Sequence, residues 1–491
     1  MTECGREISR ECAGYDARVH FIRRISPTFL MRVPMKLLCL LVAFSLSLSA
    51  RAETNVPSNT YETKLANGLR VIVREDHRAP VVVNMIWYRV GSMDEKDGDS
   101  GLAHALEHLM FKRTTHHPTG EFNRLVAAAG GVDNAFTNLD YTAYYQNVPK
   151  AALPQMMALE ADRMQNLAFT KDEFASEIKV VMEERRMRTE DNPQARVYEA
   201  TNAAAFQASP YRRPIIGWMN DLENMTWQDA TNWHKTWYTP SNAYIVIVGD
   251  VNKDEVFKLA QKYFGGIRSH ALPVEKPQVE PPQLGMRRVT VKVPASLPYI
   301  LMEWKAPKLK DVNKDVDPYA LQVLAAVLAG HDAARLPTDL VRERRIAQSA
   351  GADYDPVVRG EALFSMDGQP ADGHTVVELE AALKDEIKQI QDKGVSAEEL
   401  ARVKVQLVAS QVYKRDSMMA QAMEIGGIES AGFGWRDIDT MLAKLKTVTP
   451  EQVQAVARKY FSDDTLTVGV LEPQPVDPNA SKRPAAALPA Y

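Results

Sequence analysis

The chemistry in this sequence concentrates at His104-Ala105-Leu106-Glu107-His108. Positions four apart on a helix lie one turn apart on the same face, so His104 and His108 can aim two imidazoles at a single cation. Glu107, three residues after the first histidine, borders the same spot and can handle a proton there. With 10 His in 491 residues and Glu at roughly 6%, this pattern arises by chance in about one such chain in a hundred. A solvated helix with paired polar side chains is the alternative reading, and the rest of the chain weighs against it.

A catalytic zinc site takes three protein ligands and keeps a position open for water, so a further ligand must come from elsewhere. The three cysteines, Cys4, Cys12 and Cys39, all precede a predicted cleavage point after Ala52. Thiol catalysis is thereby excluded from the mature chain, and the third ligand must be Asp, Glu or His. Residues 171–190 (KDEFASEIKVVMEERRMRTE) set Glu173, Glu177 and Glu184 along one helical stripe, because spacings of four and seven return to the same face. An exposed charged face would share that pattern. His116 and His117 are a competing pair, but they precede a Pro-Thr-Gly turn and are expected on a loop.

These side chains need a scaffold, and the pattern is α+β. Strand-like runs occupy 69–74, 81–90 and 243–248, with 3.6-period stretches between them at 101–112, 150–166 and 171–190. Residues 271–286 (ALPVEKPQVEPPQLGM) hold four prolines and read as an extended linker. After it the order recurs, with strands at 288–293 and 298–304 and helices over 317–347 and 376–413. Residues 226–248 and 449–471 each run helix, aromatic pair, turn and apolar strand, at an offset of 449 − 226 = 223. Two homologous α/β-layered domains follow as the expectation, over 53–270 and 287–475, with a fraying tail at 476–491.

The composition is that of ordinary folded protein, 45% hydrophobic and 25% charged. Its 59 basic and 63 acidic residues give no global field for nucleic acid or an anionic membrane. Residues 32–36 (RVPMK), the apolar run 37–49 and Ala50-Arg51-Ala52 together read as a secretory signal, so a periplasmic or secreted protein is expected. The apolar run is short for a stable membrane span, which needs about 20 residues. The stretch before it is unusual, and translation from Met31 or Met35 would account for it.

HxxEH followed 76 residues after His108 by Glu184, itself seven after Glu177, resembles the pitrilysin and mitochondrial-processing-peptidase family of zinc peptidases. Residues 130–145 (GGVDNAFTNLDYTAYY) and 209–226 (SPYRRPIIGWMNDLENMT) add to the likeness with its bacterial short-chain members. The resemblance implies a duplicated fold and zinc held by His104, His108 and Glu184, with Glu107 as general base and Glu177 as the carboxylate supporting the site. Glu183 adjoins the implied ligand, but only Glu184 shares the face of Glu177. It further implies that Asn134, Ala135 and Phe136 bind an extended peptide along an edge strand. An ordinary hairpin after the Gly130-Gly131 turn would use the same residues.

The second half carries no HxxEH. Active sites of the family also draw on an Arg and a Tyr seven apart from the metal-free half; residues 340–350 (LVRERRIAQSA) supply Arg342, but position 349 is Ser and the next tyrosine, Tyr354, is twelve on. The resemblance therefore implies a homologous partner subunit that supplies an Arg/Tyr pair. Two functions are compatible with all this: a zinc endopeptidase, and a peptide-binding or assembly subunit with little hydrolysis of its own.

Overall fold

The computed structural model describes residues 59–274 and 276–475. The expected signal segment, its cleavage point and the tail at 476–491 lie outside the described residues.

Long runs of β-branched and aromatic residues build two sheets. The first joins β1 (Thr60–Lys64), β2 (Arg70–Glu75), β3 (Val81–Tyr88), β4 (Val132–Thr137), β5 (Thr142–Pro149) and β6 (Ala243–Gly249) in the order β1-β2-β6-β3-β5-β4. The second joins β7 (Arg287–Pro294), β8 (Tyr299–Ala306), β9 (Ala347–Tyr354), β10 (Ala362–Pro370) and β11 (Leu466–Gln474) in the order β7-β11-β8-β10-β9. Apart from β1 the two orders are the same path. In each, the first and last strands of the unit pair in parallel, β2 with β6 and β7 with β11, while the other neighbours run antiparallel. The repeated closing segments have one local cause. Thr226 and Thr449 each cap a helix through a reciprocal box with Asp229 and Gln452, and a short turn then feeds β6 or β11.

One face of each sheet carries helices of its own half, which close the two main cores. The other face is covered by a helix from the opposite half. Label the site helices α1 (Leu102–Leu109) and α2 (Lys171–Arg185), and the covering helices α3 (Pro193–Ala205) and α4 (Met418–Ser430). Val197 of α3 packs on Leu301 and Leu471 of the second sheet. Ala422 and Ile425 of α4 pack on Trp87, Tyr244 and Val246 of the first. Small residues make the second contact possible: a Cβ on Gly426 would run into the Trp87 indole, and the Tyr244 hydroxyl donates to the Gly426 carbonyl at 2.7 Å.

Several sequence expectations need correction. The helix expected over 317–347 spans Asp317–Ala329; Gly330 and Pro337 interrupt it, and β9 already begins at Ala347. The helix expected over 376–413 is two, Val376–Lys393 and Ala397–Lys414, because Gly394 turns at φ 74° and Ser396 caps the second. The 171–190 helix ends at Arg185 and continues as a wide turn through Glu190, closed by Asp191 N–H to the Arg186 carbonyl at 2.7 Å. Residues 276–285 form neither helix nor strand, and Glu280 there accepts backbone N–H groups of Gln207, Ala208 and Ser209. Among the described residues, no helix is long and apolar enough to cross a membrane.

Candidate metal centre

Helix α1 is the centre of the site and is wholly buried. Its N-cap, Gly101, has φ 87°, and the Ile216 carbonyl would lie 2.6 Å from any Cβ there, so only glycine fits. Glycine brings no capping oxygen, and the buried carboxylate of Glu95 takes that part, accepting from Gly101 N at 3.0 Å and Ala103 N at 2.8 Å. With its start fixed in this way, α1 presents His104 and His108 to α2, where Glu184 and Glu177 stand two turns apart.

His104, His108 and Glu184 each offer one ligand atom, and these atoms lie within 4.8 Å of one another. Glu184 Oε2 is 3.7 Å from His104 Nε2 and 3.3 Å from His108 Nε2. Metal–ligand bonds of about 2.0–2.2 Å in a tetrahedron place ligand atoms about 3.3–3.6 Å apart, so the triangle fits a zinc-sized ion. Glu184 Oε2 is buried with the two imidazole Nε2 atoms beside it, and a cation at the centre of the triangle would balance its charge better than either ring does. The residues present therefore suit a divalent metal by geometry and by donor set.

The surrounding groups orient the triangle. His108 Nδ1 meets Glu177 Oε1 at 3.0 Å, and the other Glu177 oxygen meets Lys112 Nζ at 2.5 Å. A carboxylate behind a ligating histidine fixes its tautomer and leaves Nε2 for the metal. Arg188 reaches Glu184 Oε1 at 2.8 Å. Glu107 Oε2 accepts the Thr137 hydroxyl at 2.6 Å. Burial, followed by the charge of His108, holds His104 down at about 3. Burial also pulls His108 down, but the hydrogen bonds of Glu177 and Glu184 outweigh it and raise the ring to about 9. Burial pushes Glu184 up, yet His108, His104 and Arg188 hold it below its usual value, whereas burial leaves Glu107 raised.

All four of His104, His108, Glu107 and Glu184 line a cavity of about 740 Å³, together with Asn134, Ala135 and Phe136 on β4. β4 ends the sheet, with β5 on one side and no described strand on the other. Glu173 does not join its stripe-mates: it closes a capping box with Thr170 and accepts from Thr119. Glu183 pairs with Arg186 at 3.0 Å, and His116 lies on a loop against Asp162. Arg342 is a correction to the sequence reading. Its guanidinium donates to the Asp332 carbonyl and the Thr338 hydroxyl, each at 2.6 Å, and it does not line the cavity.

Sequence reasoning passed over Lys112, Thr137, Arg188 and Glu95. Lys112 and Arg188 follow His108 and Glu184 by four positions, so helical spacing alone could have found them. The contacts of Thr137 and Glu95 come from other elements and left no local signal.

Residues 70–218 match the sequence model of Insulinase (peptidase family M16), and residues 224–407 match that of the peptidase M16 inactive domain. The chain is 31% identical over 440 residues to the zinc protease PqqE of Helicobacter pylori, spanning 87% of this chain and 96% of that one. It is 26% identical to an uncharacterised zinc protease of Streptomyces coelicolor, spanning 81% and 86%. A solved protease from Helicobacter pylori superposes with TM-score 0.80 at 29% identity, covering 84% of this chain and 99% of the other. The periplasmic protease PqqL of Escherichia coli shares the fold, with TM-score 0.73 at 18% identity over 86% of this chain and 49% of that one. The chain belongs to peptidase family M16, the HxxEH motif lying in the part matched by the Insulinase model and the second half overlapping the inactive-domain match.

Proposed function

We propose that this chain is a zinc-dependent endopeptidase that hydrolyses extended peptides, with His104, His108 and Glu184 as metal ligands and Glu107 as general base. The observation that carries the reading is the convergence of those three ligand atoms within 4.8 Å, beside a buried carboxylate with no lysine or arginine partner of its own among the described residues. The relatives named zinc proteases support the same choice of metal.

Zinc held there would acidify a water molecule and polarise the scissile carbonyl. The protein's own groups supply the rest. Glu107 takes the proton from the attacking water and passes it to the leaving amine, and the Thr137 hydroxyl holds the carboxylate in place. Glu177 and Lys112 keep His108 turned towards the centre. The free edge of β4 aligns the peptide through main-chain hydrogen bonds, with Asn134, Ala135 and Phe136 beneath it.

This reading takes residues 53–270 as the zinc-binding domain, 271–286 as the connector and 287–475 as the metal-free domain. It also places the protein in the periplasm or outside the cell, on the strength of the signal-like segment that ends at Ala52. The position of Arg342 away from the cavity, with Ser349 seven residues on, favours a second version in which a homologous partner chain supplies an Arg/Tyr pair and this chain cleaves little alone. Metal content and peptide cleavage of wild type and Glu107→Gln, each with and without the partner, decide the matter. The enzyme reading expects zinc retained and turnover lowered by about 10²–10⁴-fold in the variant. A wild-type protein that binds no zinc would overturn it, and full activity of the isolated chain would remove the partner.

A further inference from the structure

Thr137, whose hydroxyl holds Glu107, is the last residue of β4, so the turn over residues 138–141 sets where that hydroxyl stands. The turn lies against residues 91–95. Ser92 N–H donates to the Asn138 carbonyl at 3.2 Å, and Met93 N–H donates to the Leu139 carbonyl at 2.9 Å. A Cβ on Gly91 would stand 2.4 Å from the Asn138 carbonyl oxygen, so glycine is what permits the approach. The same approach brings together two buried carboxylates, Asp94 and Asp140. Burial pushes Asp140 up and the charge of Asp94 adds to it, against the Tyr211 hydroxyl and Arg359.

The cation between these carboxylates comes from the other half of the chain. Arg359, on the loop from β9 to β10, donates to the two Asp94 oxygens at 2.9 and 2.7 Å. It also donates to the Asp140 carbonyl at 2.8 Å, and its own N–H donates to Asp140 Oδ2 at 2.9 Å. Among the described residues no other lysine or arginine pairs with either carboxylate. Gly360 N–H donates to the Tyr211 hydroxyl at 2.9 Å, and that hydroxyl donates to Asp140. The loop is in turn fixed to its own half, since Lys308 Nζ donates to the Arg359 carbonyl and Leu309 N–H to the Pro356 carbonyl.

We propose that Arg359 is a positioning residue for the hydrolysis: by fixing the turn after β4 it sets the Thr137 hydroxyl on Glu107 and the line of the β4 edge. The metal-free half thereby takes part in the reaction without touching metal or substrate. The proposal rests on the peptidase reading for the reaction it serves. Without the guanidinium, two buried carboxylates share one spot with no cation, a cost that opening the turn to water relieves. Lysine keeps the charge but lacks the planar fork that grips Asp94 with two bonds. Arg359 and Gly360 hydrogen-bond to none of the metal ligands, so the metal stays bound when the grip is lost.

The test uses the full chain, with its partner if activity requires one, and one cleavable peptide. Arg359→Lys is expected to lower kcat by about tenfold with zinc retained. Combined with Thr137→Val, which removes the hydroxyl through which Arg359 acts, the total loss in kcat should stay near tenfold. Independent losses, the result for an arginine that only stabilises the fold, would multiply to about a hundredfold. Hydrogen exchange without substrate supplies a second readout: residues 132–141 should exchange about tenfold faster in Arg359→Lys, and residues 171–185 at the wild-type rate. Should Arg359→Lys not fold, the triple variant Arg359→Met, Asp94→Asn, Asp140→Asn strands no charge and takes its place under the same criteria. Unchanged kcat, multiplied losses, or unchanged exchange over 132–141 overturns the proposal and leaves the peptidase reading intact. If wild type cleaves no peptide but the exchange difference holds, the hydrolase reading fails and the hold of Arg359 on the β4 turn stands.

Discussion

Thr137 is the only described hydrogen-bonding partner of Glu107, the group assigned to move the proton. A free carboxylate in a buried site can turn away from the productive direction, so the hydroxyl is worth more than its bond strength suggests. Thr137→Val is expected to lower kcat/KM by about tenfold with zinc content unchanged, measured by steady-state cleavage and metal analysis. A second residue-scale prediction concerns stability. Glu303 on β8 is buried, one of its oxygens lacks a hydrogen-bond partner, and burial pushes it up to about 8. Its pKa in the folded chain lies above the unfolded value of about 4.3, so its stabilising effect is complete below that value and is lost as pH rises through 8. Wild type should lose on the order of a few kcal/mol between pH 5 and pH 8.5 through this group, and Glu303→Gln should flatten that part of the curve in urea titrations. An unchanged pH dependence in the variant would show that Glu303 ionises freely.

Elements set how much of this was readable beforehand. The ligands on α1 and α2 were legible because helical spacing converts sequence distance into direction, and His104, His108, Glu177 and Glu184 all obey it. Glu173 obeys the same arithmetic and lies elsewhere, because a Thr at position 170 offered it a capping box one turn too early. Arg342 had no such rule behind it; its neighbours Pro337 and Arg345 (φ 51°) bend the segment, and the side chain turns back onto Asp332. Glu95 was invisible for a different reason, since it caps α1 from a loop and a glycine occupies the position where a capping side chain is sought. Glu95→Ala strands two buried N–H groups at the start of the metal helix. It should cost about 2–4 kcal/mol of stability and weaken zinc binding by roughly 10-fold or more, read by thermal melting and by chelator competition.

At the scale of the whole molecule, the repeated strand order and the shared helix-to-strand endings bear out the duplicated α+β architecture read from the 223-residue offset. The exchange of covering helices was not foreseeable, because neither α3 nor α4 has a sequence pattern that names which sheet it covers. Cross-half ties reinforce the exchange. Arg359, from the loop between β9 and β10, clamps Asp94 with two hydrogen bonds at 2.9 and 2.7 Å and also reaches the Asp140 carbonyl. Gly426 is the tightest point of the α4 contact. Gly426→Val drives a side chain into Trp87 and should destabilise the chain by about 1–3 kcal/mol or more, lowering the urea midpoint without changing the m-value.

That exchange limits how the molecule can breathe. Swinging the two halves apart like the covers of a book would pull α4 off Trp87 and α3 off Leu301, wetting both inner faces at once and breaking the Arg359 clamp. A polypeptide on its way to the metal must then come through a doorway that already stands open, or through the parting of one whole chain from another.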